Sequence, residues 1–166
     1  AVINGLKETG LTTFLIDEQI DTGKILLQEK LTIQPQWTTG ELHDALLPIG
    51  AQLVVDTAIG LAESSLSSRI QNNAEATHAP KLTKENTRLD FRLSPTALIR
   101  LIKGLNPSPA AYYGEFKFIE ASLCDEQNPS VDPMLRVENR RLFLDYALGS
   151  IEIKRIKPAG KRSMSS

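Results

Sequence analysis

From Ala110 onward the chain keeps to a period of two. Five short runs, 110–113, 116–123, 134–138, 141–147 and 150–156, are separated by turn-forming residues. Within them Leu142, Leu144 and Tyr146 alternate with Arg141, Phe143 and Asp145, and Ile151 and Ile153 alternate with Glu152 and Lys154. Alternation on this scale specifies strands with one buried face. Five such strands joined by turns predict a small closed or partly closed barrel.

The preceding residues follow other rules. Runs at 11–16 and 25–33 are rich in Thr and large apolar residues and read as strands, with Leu27, Leu31 and Ile33 facing inward. Residues 17–23 join them and are too many for a two-residue hairpin turn; loops of that length at strand ends often carry functional side chains. Thr38 to Glu41 fits a capping box, after which Leu42, Ala45, Leu46, Ile49, Leu53, Val54, Ile59 and Leu61 recur at helical spacing. That predicts a helix over 39–63 whose stripe packs on the strands. The polar stretch 64–77 has no periodicity and reads as a linker or surface loop. Ser94-Pro95 opens a second helix, with Leu98, Leu101, Ile102 and Leu105 as its stripe and Asn106-Pro107 as its end.

Composition excludes several classes. Apolar residues make up 41% of the 166, enough to build a core and to exclude full disorder. A single cysteine, Cys124, excludes a disulfide framework and the multi-cysteine metal motifs. His43 and His78 lack partners at metal-ligand spacing, so no metal site is expected, and neither imidazole nor Cys124 reads as catalytic. No uninterrupted apolar run approaches the ~20 residues of a membrane span, and no secretory leader is read, so a reducing, cytoplasmic setting without a membrane partner is expected. The chain starts with Ala and both ends look cut, so a fragment of a longer polypeptide is expected.

The net charge of −1 hides an asymmetry. Residues 1–72 carry four basic side chains against nine acidic, whereas 73–166 carry 15 against 11. The last thirteen residues hold Lys154, Arg155, Lys157, Lys161 and Arg162 and no anion. Such a tail suits either a polyanion such as nucleic acid or a solvated terminus.

Asp21-Thr22-Gly23 is the one triplet with a chemical precedent. Aspartic proteases carry it, but there it lies behind an apolar strand and before a small residue; here Gln19-Ile20 precede it and Lys24 follows. It is also an ordinary turn sequence.

The wider context resembles a known family. Thr13-Phe14-Leu15-Ile16-Asp17-Glu18-Gln19-Ile20-Asp21-Thr22-Gly23-Lys24 resembles the loop of folate-dependent formyltransferases in which an Asp precedes Thr-Gly or Gly-Gly. Asn4-Gly5 and Glu8-Thr9-Gly10 look like the stretch before that loop. Ala79-Pro80-Lys81-Leu82-Thr83-Lys84-Glu85, Leu89-Asp90-Phe91, Leu105-Asn106-Pro107-Ser108-Pro109-Ala110 and Lys157-Pro158-Ala159-Gly160-Lys161-Arg162-Ser163-Met164-Ser165 resemble, in order, the joining segment and C-terminal domain of the methionyl-tRNA branch. The resemblance implies an α/β chain: the end of a Rossmann-like formyltransferase domain over 1–70, a linker over 71–86, and an OB-like tRNA-contacting barrel over 87–166.

It also implies a reaction, the transfer of a formyl group from 10-formyltetrahydrofolate to the amino group of methionyl-initiator tRNA. In the family an Asn, a His and an Asp share oxyanion stabilisation and proton transfer. By this match Asp21 is the catalytic Asp, and the backbone of Ile16, Asp17, Glu18, Gln19 and Ile20 lines the folate pocket. Lys154, Arg155, Lys157, Lys161 and Arg162 become expected phosphate contacts. The Asn and His are matched by no residue here, since Asn4 is not that Asn, so the 166 residues alone are expected to be inactive. The parent is expected to be a monomer. Sugar-nucleotide formyltransferases share the Asp loop, and a non-catalytic RNA-binding barrel is the reading from another class.

Overall fold

The computed structural model describes residues 1–160 and 162–165. The chain divides into two compact units, one formed by Lys7–Pro35 and Glu41–Lys81 and the other by Ala1–Leu6, Gln36–Gly40 and Leu82–Ser166.

In the first unit β1 (Glu8–Phe14) and β2 (Ile25–Thr32) form an antiparallel hairpin with a register shift between Thr13 and Phe14. Helix α1 (Thr39–Ala62) follows. Hydroxyls join the three elements: Thr57 Oγ1 donates to Leu53 O (2.6 Å), Thr13 Oγ1 donates to Thr57 Oγ1 (2.8 Å), and Leu27 N donates to Thr13 Oγ1 (3.2 Å).

The face α1 buries is narrower than the predicted stripe. Leu42, Leu53, Thr57 and Gly60 are buried, whereas Val54, Ile59 and Leu61 of the stripe are exposed, together with Leu47 and Val55. The apolar positions run almost round the helix, so spacing alone could not select the buried side. By length and composition α1, with a mean hydropathy of 1.6 in its most apolar window, could cross a bilayer. Asp56 interrupts the apolar sequence of the helix, so it contains no unbroken apolar run of membrane-spanning length. Core helices of soluble proteins meet the same criterion.

Residues 64–77 are less loose than their composition implied. Arg69 and Ile25 exchange backbone hydrogen bonds (both 2.8 Å), and Asn72 caps a short 3₁₀ turn at Asn73–Glu75.

In the second unit α2 (Pro95–Gly104) begins as expected, with Ser94 Oγ accepting from Ala97 N (3.3 Å) and Pro95 in its first turn. The strands are β3 (Ala111–Tyr113), β4 (Phe116–Leu123), β5 (Met134–Glu138), β6 (Arg141–Tyr146), β7 (Gly149–Pro158) and β8 (Met164–Ser165). They form one antiparallel sheet in the order β3-β4-β7-β6-β5, with β8 also paired to β7. The expected barrel is not closed: β3 and β5 end the sheet, with no ladder joining them among the described residues. The five expected runs match β3 to β7, and β8 is an addition; closure depends on tilt and shear, which alternation does not encode.

Leu98, Leu101 and Ile102 of α2 and Leu105, which caps its end, pack with Phe118, Leu144, Ile151 and Ile153 of the sheet in a single buried cluster. Tyr146 closes it, its hydroxyl donating to Leu93 O (3.1 Å) while burial pushes the phenol up to about 12. The opposite face of β6 and β7 is also covered. Phe143, Asp145, Ser150 and Glu152 are buried, because residues 124–130 lie along that face: Ser150 N donates to Gln127 Oε1 (2.8 Å), Asn128 N to Ser150 Oγ (2.9 Å) and Ser130 N to Tyr146 O (3.2 Å).

Candidate functional site

The loop 15–24 is built from its base upward. Leu15 N donates to Lys24 O (2.9 Å), closing the hairpin end. Gly23 is buried there, and a Cβ would overlap the Leu15 carbonyl, so only glycine lets the two limbs approach this closely. Asp17 organises the crest, its Oδ1 accepting from Gln19 N (3.0 Å) and Thr22 Oγ1 (2.8 Å). That is the local side-chain-to-backbone turn that Asp favours.

Asp21 lies beyond this turn at φ 57°, in the left-handed region that Asp tolerates better than most residues. Its carbonyl is held by Gln71, whose Nε2 donates to Asp21 O and to Gly23 O, both at 2.8 Å. The Asp21 side chain is solvent-exposed, as are Ile16, Asp17, Glu18, Gln19 and Ile20. Ile16 and Ile20 are 94% and 91% exposed. Gln71 was missed in the sequence because nothing in 64–77 is periodic.

The other titratable side chains singled out from the sequence lie apart from this loop. Cys124 is buried, its thiol raised above its ordinary value first by burial and then by Asp145, so it stays protonated. His43 and His78 are exposed. Among the described residues no group of three or more His, Cys, Asp or Glu converges to hold a metal.

The basic tail divides in two. Lys154 Nζ lies 2.7 Å from Glu152 Oε1, and Arg155 lies 3.6 Å from Glu120. Both already hold a carboxylate. Lys157 instead lines a cleft of about 650 Å³ with Lys84, Lys117, Tyr112, Phe116 and one acidic residue, Glu115. Lys117 and Lys157 are directly opposed across β4 and β7. Like charges so placed repel, and an anion in the cleft would relieve that. Lys117 Nζ meanwhile donates to Pro109 O (3.1 Å), and Tyr112 Oη donates to Lys84 O (2.9 Å). Arg162 is exposed, and Lys161 lies outside the described residues. Lys84 and Lys117 were not singled out from the sequence: strand pairing brings Lys117 to Lys157, and the turn at 83–87 brings Lys84 to the cleft.

The first unit thus presents an exposed acidic loop and the second a cleft that Lys84, Lys117 and Lys157 line. Residues 1–58 match the formyl transferase family model and 81–166 match the model of the formyl transferase C-terminal domain. The chain belongs to the formyl transferase family. It is 31% identical over 179 residues to a methionyl-tRNA formyltransferase of Heliobacterium modesticaldum, covering 100% of this chain and 57% of that protein. It is 37% identical over 169 residues to the methionyl-tRNA formyltransferase of Acidobacterium capsulatum, covering 99% of this chain and 54% of that one. The chain thus spans a little over half the length of these curated relatives.

Solved structures share the fold at lower identity. The N-formyltransferase of Helicobacter canadensis, in complex with folinic acid and dTDP-3-aminofucose, superposes with a TM-score of 0.68 at 19% identity, covering 92% of this chain and 57% of that one. HypX of Aquifex aeolicus, in complex with tetrahydrofolic acid, gives 0.74 at 13% identity, covering 99% and 30%.

Proposed function

We propose that the intact protein transfers the formyl group of 10-formyltetrahydrofolate to the amino group of methionyl-initiator tRNA. The observation that carries this reading is the set of methionyl-tRNA formyltransferases that match at 31–37% identity along essentially the whole chain. On this reading residues 1–70 end the catalytic domain, 71–86 link, and 87–166 form the OB-like RNA-contacting module. The protein acts in the cytoplasm.

The amine nitrogen attacks the formyl carbon, a C–N bond forms, and the tetrahedral oxyanion collapses by breaking the bond to N10 of the folate. The nitrogen sheds one proton and N10 gains one. Asp21 assists that proton transfer through water, and the backbone of 16–20 faces the folate. A carboxylate can do this only if its loop holds it in one place, which is what the Asp17 turn and the Gln71 bonds supply. The 166 residues alone are inactive on this reading, because Asp21 acts with an Asn and a His that no residue here matches.

Lys154, Arg155, Lys157, Lys161 and Arg162 are proposed phosphate contacts. Lys157 comes first because it faces the cleft with Lys84 and Lys117 and lacks an ion-pair partner among the described residues. A second reading, a sugar-nucleotide formyltransferase, is favoured by the fold-level likeness to the dTDP-aminosugar complex. Assaying the intact protein with methionyl-tRNA and with a dTDP-aminosugar separates the two. Under the main reading only the tRNA is formylated, and Asp21→Asn abolishes turnover while tRNA affinity is unchanged. Formylation of the sugar alone, or near-normal turnover by the variant, refutes it.

A further inference from the structure

We propose that Gln71 is the positioning residue of the Asp21 loop, holding the carboxylate in place through the carbonyls on either side of Thr22. The functional part of this inference rests on the catalytic reading of Asp21; the structural part does not.

Three observations meet at this side chain. The first is reach. The paired backbone bonds between Arg69 and Ile25 fix residue 69 against the start of β2. Gln71 follows two residues later, beside the limb of the loop that carries Asp21 and Gly23. The second is stoichiometry. A primary amide carries two N–H groups, and Gln71 Nε2 faces two acceptors, Asp21 O and Gly23 O, at 2.8 Å each. Both donors are used, and the two carbonyls are held at a fixed separation. The third is conformation. Asp21 has φ 57°, a region in which a residue other than glycine carries a backbone cost that its surroundings must offset. Gln71 supplies that offset from 50 residues away in sequence.

The other contacts that shape the loop cannot replace it. The Leu15–Lys24 bond fixes only the base. The Asp17 turn binds Gln19 and Thr22 and leaves the Asp21 carbonyl untouched. Without Gln71 the peptide after Asp21 is free to rotate out of the left-handed region. The Asp21 carboxylate would swing with it, and a displacement of about 1 Å at a catalytic group is enough to cost ~10²-fold in rate.

The side chain is shielded only in part, so its loss should leave the core intact. The test uses Gln71→Glu in the intact protein, a nearly isosteric change that presents only acceptors to the two carbonyls. Gln71→Lys keeps a donor of similar reach, and Asp21→Asn serves as the control. The expected results are faster hydrogen exchange of the amides of residues 16–23 in Gln71→Glu by 5-fold or more, an unchanged melting temperature, and a fall in kcat of about 10- to 100-fold. KM for methionyl-tRNA should stay within about 2-fold, and Gln71→Lys should recover most of the lost kcat. Unchanged exchange in Gln71→Glu overturns the positioning inference whatever the kinetics. Near-normal turnover by Asp21→Asn removes the catalytic reading instead, and exchange alone then decides the role of Gln71. Changed exchange with kcat unaffected, while Asp21→Asn is dead, also overturns the functional claim.

Discussion

Protonating Glu152 should remove a defined part of the stability. Its carboxylate is 4% accessible and sits opposite Phe143 across the β6–β7 pair. Arg141 grips it with two bonds, Nε to Oε1 at 2.8 Å and Nη2 to Oε2 at 2.6 Å, and Lys154 adds a third at 2.7 Å. The Arg141 bonds, followed by Lys154, hold the group down from its ordinary 4.5 to about 2, against the upward push of burial. At 1.36 kcal/mol per pH unit that gap is worth about 3 kcal/mol. Arg141 and Lys154 are about half exposed, and solvent screening brings the expected value to about 2 kcal/mol.

The sign follows from proton counting. The folded state binds its proton only near pH 2, the unfolded state near 4.5, so the stabilisation is fully present above about pH 5 and is lost as pH falls toward 2. Urea unfolding followed by circular dichroism from pH 7 to pH 2.5 should show Glu152→Gln about 2 kcal/mol less stable than wild type at neutral pH. The difference should fall to about a quarter of that by pH 2.5. Asp90 is also held to about 2, chiefly by its hydrogen bonds from Arg92. Arg92 is 90% exposed, and Asp90 is intact in both proteins, so it cancels in the difference. A gap between wild type and variant that stays constant across the range would refute the reasoning, because it would mean that Glu152 contributes by shape and not by charge.

Further outcomes follow from the same structure. Gly23→Ala places a methyl against the Leu15 carbonyl and should cost about 2 kcal/mol in thermal unfolding; a neutral substitution would show that the two limbs can part freely. Replacing Lys84, Lys117 and Lys157 together by Gln should flatten the slope of log K against log salt for tRNA binding by about 2. Replacing Lys154 and Arg155, which are already paired to Glu152 and Glu120, should change it little. Equal effects from both sets would argue against the cleft. Val54→Glu with Val55→Glu, at positions 61% and 50% exposed on α1, should lower dye binding and self-association of the 166-residue chain without altering its helical signal; unchanged dye binding would mean that this face is not accessible in solution.

What the sequence disclosed and what it hid separate along one physical line. Periodicity reports which side of an element is apolar, so the strands of the second unit and the capped start of α2 were readable from 110–156 and from Ser94-Pro95. It cannot report what the other side meets. Phe143, Asp145 and Glu152 read as outward positions, yet they are buried, because residues 124–130 and the guanidinium groups of Arg136 and Arg141 stacked on the Phe143 ring cover them. Charge behaves the same way. The tail cations could be counted, but their pairing depends on partners brought in by register: Glu120 faces Arg155, and Lys117 faces Lys157. That register sets Lys117 opposite Lys157 in the cleft, which Glu115 also lines. The Asp21 loop shows both sides of the rule within a few residues. Gly23 and the Asp17 turn are local and legible in the letters themselves, whereas the amide that holds Asp21 comes from a segment with no pattern at all. A side chain that bonds a distant loop needs only reach and two hydrogens, and neither leaves a period behind. Such residues are therefore best sought among the polar side chains of apparently featureless segments once a structure is in hand.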